Sequence, residues 1–157
     1  MSSLDDLLTY LFDGRARPLA REFEGWLRDS RPFQAFAERY RAKIRAKLRQ
    51  ARDADALLDV RAELEAAARL LAEPRFAVEY ETYAAARQRG PDLTVTFKGH
   101  TPFNVEVRRL RPLPEGDERE RADRLAAVLL DKVRQMPAGI ATVLWLAAAR
   151  PVVAEEM

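Results

Sequence analysis

"GPDLTVTFKGHTPFNVEVRRLR", residues 90–111, is the stretch on which the fold turns. Leu93, Val95 and Phe97 alternate with Thr94 and Thr96, and Phe103, Val105 and Val107 alternate with Asn104 and Glu106, so each run has the period of a strand with one apolar face. A Gly99-His100-Thr101 turn joins them as a hairpin and sets the expected register. On one face Phe97 meets Phe103, Val95 meets Val105 and Leu93 meets Val107. On the other Thr96 meets Asn104, Thr94 meets Glu106 and Asp92 meets Arg108. Asp92 and Glu106 become diagonal neighbours with backbones about 7–8 Å apart, within reach of a single ion. A hard divalent cation, Mg²⁺ or Mn²⁺, takes carboxylate oxygens of this kind. The plainer alternative is a cross-strand Asp92–Arg108 ion pair on a solvated face.

Working outward, residues 75–83 alternate Phe76, Val78 and Tyr80 with Glu79 and Glu81, a further strand on which the two glutamates mark a wet edge. Upstream, residues 4–13, 16–29 and 32–51 predict three helices, with Asp29 or Ser30 as a cap. A fourth helix starts from a cap near Asp53 and stops at Pro74, which cannot extend it. Downstream of the hairpin, residues 118–136 predict a helix ended by Pro137 and Gly139, and the apolar run at 140–148 suits a buried strand. The expected architecture is α/β, with the order helix-strand-strand-strand-helix-strand over residues 53–150 and a helical, basic segment at 1–52.

The chain of 157 residues lacks cysteine and has one histidine, His100, which excludes thiolate-zinc, disulfide and histidine-rich metal chemistry. Its start, MSSLDDLL, is acidic, and the longest apolar run is half the length of a bilayer span; a cytoplasmic protein away from membranes is expected. The net charge of +2 hides an uneven distribution: residues 1–52 carry +5 and the remainder −3. The excess peaks where Arg39, Arg41, Lys43, Arg45, Lys47, Arg49 and Arg52 surround an apolar stripe of Tyr40, Ile44, Leu48 and Ala51. A helix docked by so narrow a face leaves its cations to a phosphate backbone, and nucleic acid, with DNA first, is the expected partner. A solvated helix is the plainer reading of the same pattern.

Pro91-Asp92, a short spacer and Glu106-Val107-Arg108 on the next strand, in this order of elements, resemble the PD-(D/E)XK nuclease superfamily, the restriction endonuclease-like fold. The resemblance covers about residues 53–148 and assigns nothing to the first 52. It implies a Mg²⁺-dependent phosphodiester hydrolase in which Asp92 and Glu106 hold the metal, a lysine assists the attacking water, and a glutamate from the preceding helix completes the acidic cluster. On a helical wheel Leu57, Val60, Leu64, Ala67, Ala68 and Leu71 define a buried arc with Glu63 at its edge, while Glu65 points away between Arg61 and Arg69 as in a surface ion-pair ladder. Glu63 is therefore the candidate third carboxylate, ahead of Glu79 and Glu81 on the first strand.

The departure from the family pattern is Arg108, which stands where the motif has lysine. A chain with 23 Arg and 4 Lys favours arginine wherever function allows it. Guanidinium stays protonated and can only orient or stabilise negative charge, whereas an ammonium can exchange a proton. Lys132, in the apolar arc of its helix with Leu125, Val128, Leu129 and Val133, is the alternative source of a lysine, ahead of Lys98 at the turn. The expected catalytic set is thus Glu63, Asp92, Glu106, Arg108 and Lys132. The rival functions are a catalytically inactive nucleic-acid-binding module of the same fold and a protein-interaction scaffold.

Overall fold

A computed structural model describes residues 3–81, 90–110, 118–135 and 139–148, with the backbone of the last two stretches throughout and part of their side chains. Helices α1 (Ser3–Phe12), α2 (Arg17–Asp29), α3 (Arg31–Arg39) and α4 (Arg41–Gln50) precede α5 (Ala54–Leu71). Strands β1 (Phe76–Tyr80), β2 (Leu93–Phe97) and β3 (Thr101–Leu110) follow, then α6 (Glu118–Gln135) and β4 (Ala141–Ala148). The chain is α/β, with a four-stranded mixed open sheet in the order β1-β2-β3-β4. β1, β2 and β3 form an antiparallel meander, whereas β4 runs parallel to β3, which requires a crossover that contains α6.

Side-chain caps start two of the helices. The Ser30 hydroxyl accepts from the Phe33 N–H at 3.2 Å and caps α3, with Pro32 in the first turn, where its missing N–H costs nothing. The Asp53 carboxylate accepts from the Ala56 N–H at 2.7 Å and caps α5. The expected single helix over 32–51 is instead two, broken at Tyr40, whose φ of −105° and ψ of 19° leave the α region. Neither glycine nor proline stands there. The cause is tertiary: the Tyr40 ring packs on Phe36 at 5.0 Å and on Tyr80 of β1 at 6.0 Å, which re-aims the chain.

The hairpin turns one residue earlier than expected. Lys98 and Gly99 both have positive φ, 51° and 75°, and the His100 N–H donates to the Phe97 carbonyl at 3.2 Å. Phe97 consequently pairs with Thr101, Val95 with Phe103 and Leu93 with Val105, a shift of two residues from the expected register. An even shift preserves faces. Phe76, Val78, Tyr80, Leu93, Val95, Val105 and Val107 still share one face, and α5 packs across it at β1 and β3. The shift does alter the polar face: carried one residue further, the register sets Asp92 beside Glu106 and away from Arg108.

A single buried cluster runs through both parts of the chain, from Leu7, Phe23, Phe33 and Ile44 to Leu64, Tyr80, Val95 and Val105. Its spine is a file of rings: Phe12 to Phe23 at 5.5 Å, Phe23 to Phe33 at 5.2 Å, Phe33 to Phe36 at 5.9 Å and Phe36 to Tyr80 at 5.7 Å. The basic helical segment is thereby built onto the end of β1. Of the expected apolar arc of α6, Leu125 is half-buried and Leu129 exposed, the side chains of Val128 and Val133 lying outside the described residues; Leu130, and Val143 and Leu146 on the edge strand β4, are also exposed. The Lys132 side chain, expected to point toward the sheet, lies outside the described residues.

Candidate metal centre

Three carboxylates meet where β1 ends, β2 begins and α5 passes over them. One oxygen from each of Glu63, Glu81 and Asp92 lies within 4.8 Å of the other two, and all three residues are half-buried. Glu63 comes from the edge of the helical arc that faces the sheet. Asp92 follows the buried Pro91, and its backbone carbonyl accepts from the Glu81 N–H at 2.8 Å, extending the β1–β2 ladder by one step. Glu81 is the unexpected member. Its φ of 46° breaks the strand alternation just after Tyr80 and brings its carboxylate into the group instead of leaving it on the wet edge with Glu79.

Asp92 also has a structural task. Its Oδ2 accepts from the Val107 N–H at 2.8 Å, taking the place of a ladder partner where β2 has not yet begun. The alternative Asp92–Arg108 pairing does not form, and Arg108 is exposed. Burial pushes the Asp92 carboxyl up to about 8, with Glu63 and Glu106 adding to the shift and the Val107 N–H and Lys47 opposing it. Glu106, opposite Asp92 in the register, is near enough to act on it, while Glu63, Glu81 and Asp92 form the close group, so Glu81 joins the acids expected here. The Val107 bond fixes the Asp92 carboxylate, and the bend at Glu81 brings in the third.

The lysine of this site comes from an element whose sequence points to nucleic acid. Lys47 of α4 reaches in, donating to Glu63 Oε2 at 2.9 Å and pairing with Glu81 Oε1. Burial disfavours its charge, yet Glu63 and Glu81 outweigh that and hold its pKa above the ordinary value. Lys43, one turn earlier, donates to the Tyr80 carbonyl at 3.0 Å and stands 4.0 Å from Glu81 Oε2. Both lysines therefore point toward the acids, whereas the sequence groups them with the phosphate-facing cations. The Tyr80 hydroxyl, buried, donates to Glu63 Oε2, and burial beside Glu63 raises its pKa strongly.

The other cations of the basic stretch do not enter the group. Arg41 and half-buried Arg45 lie over the Tyr10 ring at 5.4 and 4.5 Å, Arg41 also stands 4.0 Å from Glu38, Arg49 is exposed, and Arg39, at the end of α3, covers its neighbour Tyr40 and approaches Glu79 at 3.9 Å. Glu65 pairs with Arg61 and Arg69 on the outer side of α5. Arg109, next to Arg108, is held by Asp55 and Asp59 of the same helix. The sequence ranks Glu81 behind Glu63 and gives Lys47 no signal for this site: the first depends on one backbone angle, the second on the bend at Tyr40.

All donors of the triad are hard carboxylate oxygens, a set that suits Mg²⁺ or Mn²⁺ and not a soft metal. Among the described residues no helix is long and apolar enough to cross a membrane. Compared with known protein families, curated proteins and solved structures, the chain matches none.

Proposed function

We propose that the chain is a nuclease-like protein of the restriction endonuclease-like type that holds a divalent cation, Mg²⁺ or Mn²⁺, and acts on nucleic-acid phosphodiesters, DNA first, in the cytoplasm. The observation that carries this reading is the meeting of Glu63 and Asp92, both marked by the sequence for this role, with Glu81 in one half-buried group. Support comes also from the order α5-β1-β2-β3-α6-β4 around Pro91-Asp92 and Glu106-Val107-Arg108. Glu63, Glu81 and Asp92 would hold the cation, with Glu106 beside them. When bound, such a cation supplies Lewis-acid stabilisation of charge on a phosphoryl oxygen. Tyr80 orients Glu63, the Val107 N–H fixes Asp92, and Arg41, Arg45 and Arg49 offer charge to the backbone of the substrate.

The test is calorimetry with Mn²⁺ on the parent and on Glu81→Gln, followed by cleavage assays on single-stranded DNA, duplex DNA and RNA. A site that weakens in Glu81→Gln and metal-dependent cleavage are expected; metal binding indifferent to Glu81→Gln removes the triad from the account. The exposure of Arg108 favours a second reading, a nucleic-acid-binding module that has kept the fold without hydrolysis. Metal binding and DNA binding without cleavage by the parent or by Arg108→Lys would select it.

A further inference from the structure

We infer that Lys47 is a resident counter-ion of the triad, occupying the oxygens that a divalent cation takes, so that metal binding displaces its ammonium. This inference rests on the metal reading of Glu63, Glu81 and Asp92 and goes beyond it by assigning the occupant that the metal must replace.

Lys47 Nζ engages two of the three carboxylates, bonding the same Glu63 Oε2 that accepts from Tyr80 and pairing with Glu81. Magnesium draws its ligand oxygens to about 2.0–2.1 Å in near-octahedral geometry and keeps several waters. While the ammonium bridges Glu63 and Glu81 it engages oxygens that shell would take, and two cations so close in a half-buried site repel strongly. One of them leaves. The lysine can do so, because its charge is carried on a flexible four-carbon stem whose head can move to solvent while the stem remains packed. The helix itself need not move: Ile44 is fully buried and Lys43 is separately bonded to the Tyr80 carbonyl, so α4 keeps two anchors that do not involve Lys47.

The arrangement also explains why a helix outside the nuclease-like core sends a lysine here. Without a divalent cation, three carboxylates gather with one closely bonded ammonium, and Lys43 stands off at 4.0 Å. Lys47 holds the metal-free triad together and lowers its affinity for metal by the same contacts.

Two measurements test the inference on the full chain. Mn²⁺ titration by calorimetry should show binding about tenfold or more tighter in Lys47→Met than in the parent, within the ordinary range of coupling between two ligands. Equal or weaker binding in Lys47→Met would overturn the competition while leaving the metal site standing; no binding in either protein would overturn both readings. Should Lys47→Met not fold, reductive methylation of the parent, mapped by peptide mass, reads the same displacement. Mn²⁺ should speed modification of Lys47 several-fold and leave Lys98, exposed at the hairpin turn, unchanged. An unchanged rate at Lys47 in Mn²⁺-saturated protein would sink the inference.

Discussion

Asp92 concentrates two demands in one side chain: it completes the hydrogen bonding of β3 through the Val107 N–H, and it sits among acids that oppose its charge. Its carboxyl is raised from 3.8 to about 8, so between those values the folded chain holds a proton that the unfolded chain has released. Stability of the metal-free protein should therefore fall as pH rises from about 4 to about 8 and level off above, since unfolding is favoured wherever the native state binds more protons. Asp92→Asn keeps an oxygen for Val107 and cannot ionise. Expected in EDTA are a flatter pH profile and a higher melting temperature than the parent at pH 8.5, with each kcal/mol worth about 2–4 °C in a domain of this size. Thermal melts at pH 5 and 8.5 check this, and parallel slopes for parent and variant would show that another group carries the dependence. The sequence reveals Asp92 and Glu63 because both obey a period, one of the strand and one of the helix. Glu81 escapes because the left-handed angle at a glutamate is imposed by its surroundings and carries no signature like that of glycine.

At the scale of elements, legibility follows how local the cause is. The cap at Asp53, the start of α5 and the alternation in β1, β2 and β3 depend on neighbours in sequence, and all are readable there. The register is readable only to its face, because the alternation fixes odd against even while the turn fixes the pairing. Positive φ at Lys98, a residue with no preference for it, moves that turn. The bend at Tyr40 is hidden for a related reason: rings from β1 and α3 create it, and the helical period continues through it unbroken. Since α5 brings Glu63 to the site, its capping has consequences for function. Asp53→Ala should cost about 1 kcal/mol, as removal of an N-cap side chain usually does, and Asp53→Ser should restore most of it. Urea denaturation of the three proteins measures the difference; a deficit that serine fails to recover would mean that Asp53 acts through something besides the Ala56 N–H.

For the whole molecule, part of the charge asymmetry between residues 1–52 and the rest is met across the two segments. Arg39 meets Glu79, and Lys43 and Lys47 meet Glu81 and Glu63, while the pair of Glu22 in α2 with Arg61 in α5 runs the other way. A count of cations along α4 therefore overstates the surface available to phosphate, and the file of rings from Phe12 to Tyr80 makes this segment part of the same core as the triad. The other cations of α4 are Arg49, exposed, Arg45, half-buried over the Tyr10 ring, and Arg41, exposed and 4.0 Å from Glu38; none of them meets the triad. If those arginines follow a nucleic-acid backbone, duplex affinity should fall steeply with salt, and replacing all three by glutamine should flatten the log–log slope by up to about 0.9 for each phosphate no longer neutralised. Lys43→Gln, which removes an equal charge from the same helix, should leave the slope unchanged, because that ammonium is bonded to the Tyr80 carbonyl and faces the acids. Fluorescence anisotropy with one duplex across a salt series compares the three proteins. A slope that drops with Lys43→Gln as it does per arginine would mean that helix α4 binds by bulk charge alone, and a triple variant indistinguishable from the parent would take α4 out of the interface.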